Sequence, residues 1–185
     1  MTTADDSLES RTGGARVLVL LDVRNITAAQ SRAYCNAEID FGRLRELALG
    51  DGELVAAIAV DSLVKDGKGD TAAIFHRQLE RSGFELSLQP KCPESPKQTG
   101  VDVEIAVIAM RFGVPRFCDR VVLISGDGDF APLTRDLRER GVEVRVMSFR
   151  ASMSRILRES VDAITILDDV PLVKMQQGDA SKGVA

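Results

Sequence analysis

The sequence predicts an α/β fold, specifically a three-layer α/β/α sandwich around a mostly parallel central sheet. Short apolar runs rich in Val, Ile and Leu alternate with helix-like segments, and Gly or Pro marks many of the boundaries between them. Strands that alternate with helices form right-handed crossovers, whose helices cover both faces of the sheet. The 185 residues, 44% of them hydrophobic, are enough to bury the core of one such domain.

Six apolar segments are predicted to form the strands of this sheet. Each is short, and together they are rich in Val, Ile and Leu, as expected for buried strands. The segments are 17–21, 54–60, 84–88, 121–124, 142–147 and 163–167.

Three segments between the strands carry helical signals. Residues 71–81 place apolar side chains on one face and stop before Gly83. Residues 132–140 have Pro132 in the first turn and Gly141 beyond the end, which is the usual polarity of helix ends. Residues 101–111 repeat small and aliphatic side chains at helical spacing, and we predict a third helix there.

The rest of the chain divides into one domain and two tails. Residues 1–15 and 171–185 are polar and lack periodicity, so we predict flexible tails flanking a domain at 16–170. Inside that domain, residues 89–99 form the one long irregular segment and contain three prolines. A loop of this length in a compact domain is often functional.

Charge and cysteine content restrict the partners and the compartment. The chain has 24 Lys and Arg against 28 Asp and Glu, so any contact with nucleic acid is predicted to be local. Cys35, Cys92 and Cys118 are widely spaced and form no CxxC pair, which argues against a disulfide framework or a zinc site. No segment is apolar for long enough to predict a membrane span. We therefore expect a cytoplasmic protein.

Acidic residues stand at the predicted strand ends. Asp22 directly follows the first strand, Asp127 and Asp129 follow the fourth, and Asp102 opens the helix after the third. The carboxyl ends of parallel strands share one edge of the sheet, where ligands bind. Carboxylates held close together repel one another unless they are protonated or neutralised, and a hard cation such as Mg²⁺ or Mn²⁺ neutralises them. The cluster therefore predicts a metal site.

Simpler explanations exist for the same residues. Asp22, Asp102 or Asp129 alone is also explained as a helix N-cap. The pair Gly126 and Gly128 is also explained by a tight turn that requires positive φ.

Other catalytic signatures are missing from the sequence. It contains no GxxxxGK[ST] loop, no GxGxxG after the first strand and no GxSxG elbow. His76 is the only histidine, and we interpret it as a solvated helix residue rather than a general base.

Four segments in this order resemble a known family. The first strand ends in LLDVRN, a helix begins within TGVDVEIAVIAM, and the fourth strand continues into LISGDGDFAPLTRDLRERGVEV. The fourth segment, MSRILRESVDAITIL, supplies a closing helix and strand. Together they resemble the NYN domain proteins, a branch of the PIN-like nucleases related to the LabA group, over roughly residues 16–167.

The resemblance implies a PIN-like Rossmannoid sheet with a Mg²⁺ or Mn²⁺ site that cleaves RNA. It implies that Asp22, Asp102 and Asp127 are metal ligands and catalytic residues, and that Asp129 assists directly or through water. Asn25 and Ser125 are implied to orient substrate phosphate or metal-bound water. Arg24, Lys91 and Lys97 flank the same edge and are candidates for binding the RNA backbone, with ordinary solvated surface as the alternative.

The chain departs from the family pattern at two positions. Thr99 stands where a Lys usually precedes Gly-Val-Asp, and Ile108 stands where a further Asp is common. If position 108 faces the metal, Ile108→Asp is predicted to raise the cleavage rate and to leave binding similar.

A metal-dependent endoribonuclease with RNA as its partner is the function that the sequence predicts. The alternative is a catalytically weakened NYN-like module that binds RNA or a protein as a regulatory adaptor. A phosphatase or nucleotidase on a similar sheet is a third reading, although Arg24 stands where the second Asp of its DxD motif belongs. Homo-oligomerisation is left open.

Overall fold

A six-stranded, all-parallel sheet forms the centre of the computed structural model, which describes residues 13–33, 38–63, 69–90 and 100–174. Each predicted strand coincides with one strand of this sheet. A separate antiparallel pair joins two residues in the first crossover to two residues near the C-terminus. In chain order the strands are β1 (Arg16–Asp22), β2 (Glu38–Ile39), β3 (Glu53–Ser62), β4 (Glu85–Gln89), β5 (Arg120–Ile124), β6 (Glu143–Ser148), β7 (Ala163–Ile166) and β8 (Val173–Lys174).

The described helices include the three that the sequence predicts, now α3, α4 and α5. The full set is α1 (Val23–Ala33), α2 (Phe41–Leu49), α3 (Gly69–Arg81), α4 (Val101–Gly113), α5 (Ala131–Glu139) and α6 (Arg155–Arg158). Short 3₁₀ turns occupy Gly128–Phe130 and Leu167–Asp169. Gly83 and Gly141, predicted to lie beyond two helix ends, have φ of 84° and 79°, the left-handed conformation typical of a C-terminal cap.

The strand order is β4-β3-β1-β5-β6-β7, so the sheet is doubly wound. The chain starts at the centre with β1, moves outward through β3 to β4, returns to β5 on the other side of β1, and then continues to β6 and β7. This is the order of the classic dinucleotide-binding folds, in which ligands bind where the winding direction reverses. Here that point lies between the carboxyl ends of β1 and β5.

Helices cover both faces of the sheet, which confirms the predicted three-layer α/β/α sandwich. Alternate residues of β1 point to opposite sides, because successive side chains of a strand do so. Val17, Val19 and Leu21 pack in one core with α1, α2 and α3, whereas Leu18 and Leu20 pack in a second core with α4, α5 and α6. The two windings thus place their helices on opposite faces.

The antiparallel pair ties the C-terminal part of the described chain to the first crossover. β2 pairs with β8, and the Asp40 amide donates to the Leu172 carbonyl at 2.8 Å. Leu172 is buried and strand pairing extends to Lys174, so the described fold continues past residue 170. None of the described helices combines the length and the apolarity that a membrane span requires.

Candidate functional site

A cleft of about 300 Å³ opens at the carboxyl edge of the sheet, beside the ends of β1 and β5. It therefore lies at the point where the winding reverses, which is the usual ligand position in such sheets. The structure brings together in it three of the four predicted carboxylates. Its lining residues are Asp22, Arg24, Asn25, Ala28, Val101, Asp102 and Asp127.

Asp22 is the last residue of β1 and is buried, with 3% of its surface exposed. Its Oδ1 accepts the Asn25 amide at 3.0 Å, and its Oδ2 accepts the Ser125 hydroxyl at 3.0 Å. The first bond caps α1 in the manner that the simpler explanation foresaw. Both oxygens are nevertheless held at the cleft, so capping and a site role coexist in this residue.

The environment of Asp22 disfavours its charged form. Burial raises its pKa from an ordinary value of 3.8 to about 6, and the negative charges of Asp102 and Asp127 add to this shift. The hydrogen bonds from Asn25 and Ser125 oppose it. Among the described residues, no Lys or Arg forms an ion pair with Asp22. The cleft therefore holds a buried carboxylate whose charge the described protein leaves uncompensated.

Asp102 reaches the cleft because of the long crossover from β4 to β5. That crossover must pass β3 and β1, and α4 packs mainly across these two strands. Its first turn thereby carries Asp102 to the end of β1. The N-cap of α4 is Gly100 and makes no side-chain cap bond, so Asp102 is not the helix cap of the simpler explanation.

The acidic neighbours of Asp102 also disfavour its charged form. Loss of solvent around the carboxyl raises the pKa of Asp102, and the charges of Asp127 and Asp129 raise it further. Arg24, which lines the same cleft, opposes that shift in pKa. Asp129 itself is exposed and lies beside the cleft rather than in its lining.

The segment Ser125–Asp129 is fixed by a chain of hydrogen bonds to β1 and α1. The Ser125 Oγ accepts the Asp127 amide at 3.2 Å while it donates to Asp22. Asn25 Oδ1 accepts the Gly126 amide at 2.9 Å, and Asp127 Oδ1 accepts the Asp129 amide at 3.0 Å. Ser125 is fully buried, so its hydroxyl serves these internal bonds. The network holds Asp22 and Asp127 in a fixed relation.

Gly126 and Gly128 are needed for close packing and not for their backbone angles. The simpler alternative, a tight turn that requires positive φ, does not apply, because neither glycine has a positive φ. A Cβ on Gly126 would collide with the Ser152 carbonyl, and one on Gly128 would lie 2.6 Å from the Ser154 Oγ. The Ser154 amide also donates to the Gly126 carbonyl at 2.9 Å. The segment after β6 therefore rests directly on the acidic turn.

We expect Gly126→Ala to lower the free energy of unfolding by about 2 kcal/mol, because backbone must move to admit the methyl group. Urea denaturation measures the change. Gly13→Ala is the matched control, since a Cβ there meets nothing within 4 Å. Equal losses in the two variants would contradict the packing argument.

Ile108 is a core residue, so the condition of the Ile108→Asp prediction, that position 108 faces the metal, is not met. It is 4% exposed and packs with Leu18 and Leu20 under α4. A carboxylate at this position would be buried among aliphatic side chains and would not reach the cleft. Glu104 points elsewhere as well, since its Oε1 accepts the Ser87 hydroxyl at 3.0 Å. Neither position supplies the further acid of the family pattern.

Ile108→Asp is instead expected to destabilise the protein by roughly 3 kcal/mol or more, because it buries an unpaired carboxylate in an apolar core. Thermal or urea unfolding at neutral pH tests this. Ile108→Val, which removes one methylene group, is expected to cost only about 1 kcal/mol. A fully stable Ile108→Asp variant with increased activity would restore the earlier prediction.

His76 does not have the solvated surroundings that the sequence predicted. Its side chain is only 13% exposed, and its Nε2 lies 3.0 Å from Asp61 Oδ2. Asp61 stands near the carboxyl end of β3, and its Oδ1 accepts the Ser62 amide at 2.7 Å. This pair escaped prediction because the two residues meet only when α3 folds back onto the sheet.

The described residues include Arg24 and Cys118 but not the other basic and cysteine residues named from the sequence. Lys91, Lys97 and Thr99 lie outside the described residues, as do Cys35 and Cys92. Arg24 is exposed and lines the cleft, and Cys118 is a buried free thiol.

The oxygen donors of the cleft fit a hard divalent cation that keeps part of its water shell. In the described part of the chain, no three Asp, Glu, His or Cys side chains form a ready-made ligand cage. Mg²⁺ does not require one, since it commonly binds through one or two carboxylates and retains several waters. The uncompensated charge of Asp22, with Asp102 and Asp127 nearby, suits such an ion.

Fold and site together define a doubly wound α/β protein with an acidic cleft at its switch point. The NYN domain model matches residues 16–168, and the chain therefore belongs to the NYN domain family. This confirms the predicted relationship to the NYN group of PIN-like proteins. NYN domains are generally nucleases, and PIN-like nuclease domains typically use divalent metals.

A solved structure supports the fold independently. The chain resembles a protein of unknown function from Vibrio parahaemolyticus RIMD 2210633, with a TM-score of 0.75 and 28% sequence identity. The match covers 85% of this chain and 96% of that chain. Comparison with curated proteins gives no match.

Proposed function

We propose that this protein is a metal-dependent endoribonuclease that cleaves RNA phosphodiester bonds in the acidic cleft. The observation that carries the proposal is the buried Asp22 carboxylate, which meets Asp102 and Asp127 at the switch point without a basic partner among the described residues. Clustered carboxylates at a ligand-binding edge are the donor set that Mg²⁺ or Mn²⁺ prefers. Membership of the NYN family, whose domains are generally nucleases, supports a nuclease as the class of enzyme.

Each residue of the cleft has a role in this proposal. Asp22, Asp102 and Asp127 hold the cation, and Asp129 assists from the rim. A cation held there would supply a Lewis acid for the phosphate and would lower the pKa of a coordinated water. Asn25 and Ser125 are positioning residues, because their hydrogen bonds fix Asp22 and the acidic turn relative to each other.

Arg24 is proposed to bind the RNA backbone. It lies in the first turn of α1, is exposed, and lines the cleft beside the carboxylates. A guanidinium in that position can contact a phosphate next to the scissile one, and it neutralises part of the repulsion between RNA and the acidic cluster. Lys97 is the second proposed contact on the basis of its sequence position alone.

The decisive experiment is a cleavage assay with purified protein on a mixed panel of single-stranded and structured RNA. Cleavage in the presence of Mg²⁺ or Mn²⁺, and its disappearance with EDTA, is the expected result. Binding of RNA without cleavage, across the whole panel and both metals, would favour the regulatory adaptor instead.

Metal binding is tested separately by thermal unfolding. Mg²⁺ or Mn²⁺ is expected to raise the melting temperature, because a ligand at a hundredfold excess over its dissociation constant adds about 2.7 kcal/mol to the native state. Asp127→Asn is expected to reduce the shift. Identical melting temperatures with metal and with EDTA, in wild type and variant alike, would show that no such site exists.

A further inference from the structure

Helix α4 exposes a line of apolar side chains on its outer face. Val103 is 68% exposed, and Val107 and Val114 are each 45% exposed. Met110 lies between them in sequence, is partly buried and packs against the core beneath α4. Val114 caps the helix with helical backbone angles. At 3.6 residues per turn the four positions fall within about 60° of one another around the helix axis. They form one stripe, about 16 Å long.

This stripe is a second apolar face of α4. The first face contains Val101, Ile105, Ile108 and Ala109, and it is buried against the sheet. The exposed stripe repeats at intervals of four, three and four residues, which is the spacing of a coiled-coil seam. Such spacing fits the apolar face of another helix, and a contiguous exposed apolar surface is typical of an interaction site.

Charged residues beside the stripe indicate which partner helix would complement it. Glu104 lies in the first turn and Arg111 in the last turns of α4, seven residues apart, so both flank the stripe on the same side. Among the described residues, neither forms an ion pair, and only one oxygen of Glu104 accepts the Ser87 hydroxyl. Both charges are therefore available beside the apolar line.

A two-fold axis perpendicular to α4 would make this arrangement self-complementary. Two antiparallel copies of the helix place the same flank of each against the other, so that Glu104 of one copy meets Arg111 of the second copy. Symmetry forms this pair twice. A parallel arrangement would separate the charges, because it brings opposite flanks together.

We propose that α4 is the interface of a homodimer, in which two antiparallel α4 helices bury their valine stripes and form two Glu104–Arg111 ion pairs. This proposal does not depend on the proposed nuclease activity. It concerns the outer face of α4, whereas Asp102 faces the cleft.

The test exploits the symmetry of the charged pairs. Glu104→Arg alone and Arg111→Glu alone each place two like-charge contacts in the dimer, so the dissociation constant is expected to rise about tenfold or more in each. Mixing the two variants restores both attractive pairs in the heterodimer and is expected to restore association. Sedimentation over a wide range of protein concentrations measures all three samples.

Val107→Lys provides an independent test of the apolar stripe. Residue 107 is exposed, so the monomer is expected to stay folded by circular dichroism while dimerisation is lost. A wild-type protein that is monomeric at every concentration overturns the proposal. So does a dimer that tolerates Val107→Lys, or two charge variants that fail to associate on mixing. If Glu104→Arg failed to associate because it misfolds, mixing it with Arg111→Glu would not restore association. Rescue on mixing therefore distinguishes a lost ion pair from a folding defect.

Discussion

Asp127→Asn is expected to reduce metal-dependent RNA cleavage by roughly a thousandfold and to leave the fold intact. The amide oxygen of Asn can still accept the Asp129 amide, a bond that measures 3.0 Å in the wild type, so the 3₁₀ turn keeps its cap. What the substitution removes is one negative charge from the cleft. If that charge holds a cation, activity is lost although the local geometry is preserved.

Asp136→Asn is the matched control for this experiment. It makes the same change of charge on α5, where Asp136 forms an exposed ion pair with Arg140 at 2.7 Å. Exposed pairs contribute little to stability, so this variant is expected to cleave RNA at the wild-type rate. Single-turnover cleavage of end-labelled RNA compares the two variants. Full activity in Asp127→Asn would remove this residue from the catalytic site.

The position of the cleft could be predicted from the sequence because topology alone determines it. Asp22 and Asp127 follow strands that are neighbours in the sheet, and parallel strands must end at the same edge. Asp102 was predictable for a related reason: it opens the helix that crosses back over the centre. Such inferences need only the order of elements, which periodicity shows well.

The features that could not be predicted from the sequence depend on contacts between distant segments. α1 was not predicted, and its first five residues include the β-branched Val23, Ile26 and Thr27, which lower its helix propensity. It forms because Asp22 caps it and Ile26 packs into the core. The roles of Gly126 and Ile108 were similarly hidden, since the first depends on Ser152 and the second on β1.

The roles of the polar site residues also depend on contacts between distant segments, and the sequence therefore could not assign them. A serine after a strand can contact solvent, substrate or protein, and the local sequence is the same in each case. In this fold Ser125 is buried between Asp22 and the Asp127 amide. Its contribution to the site is therefore to hold carboxylates in place, a role that only the folded neighbours reveal.

A buried site carboxylate with no ion-pair partner should reduce the stability of the metal-free protein. Asp22 is the clearest case, because burial and acidic neighbours raise its pKa to about 6. The unfolded chain gives up this proton near the ordinary value of 3.8, whereas the folded protein retains it up to about 6. The free energy of unfolding therefore falls as the pH rises through this interval. A shift of two units corresponds to about 3 kcal/mol lost above it.

We therefore expect Asp22→Asn to be more stable than the wild type near pH 7 in EDTA, by about 2 kcal/mol once weakening of the Ser125 hydrogen bond is included. The gap should nearly close at pH 4, where the wild-type carboxyl is protonated in the folded protein and about half protonated in the unfolded chain. Adding Mg²⁺ should also narrow it, because the cation compensates the charge in the wild type alone. Urea denaturation of both proteins measures the free energy of unfolding in EDTA from pH 4 to 8, and again at pH 7 with Mg²⁺. A variant that is less stable than the wild type at pH 7 in EDTA would show that Asp22 supports the fold through its charge, and this would contradict its assignment as a residue kept for the site.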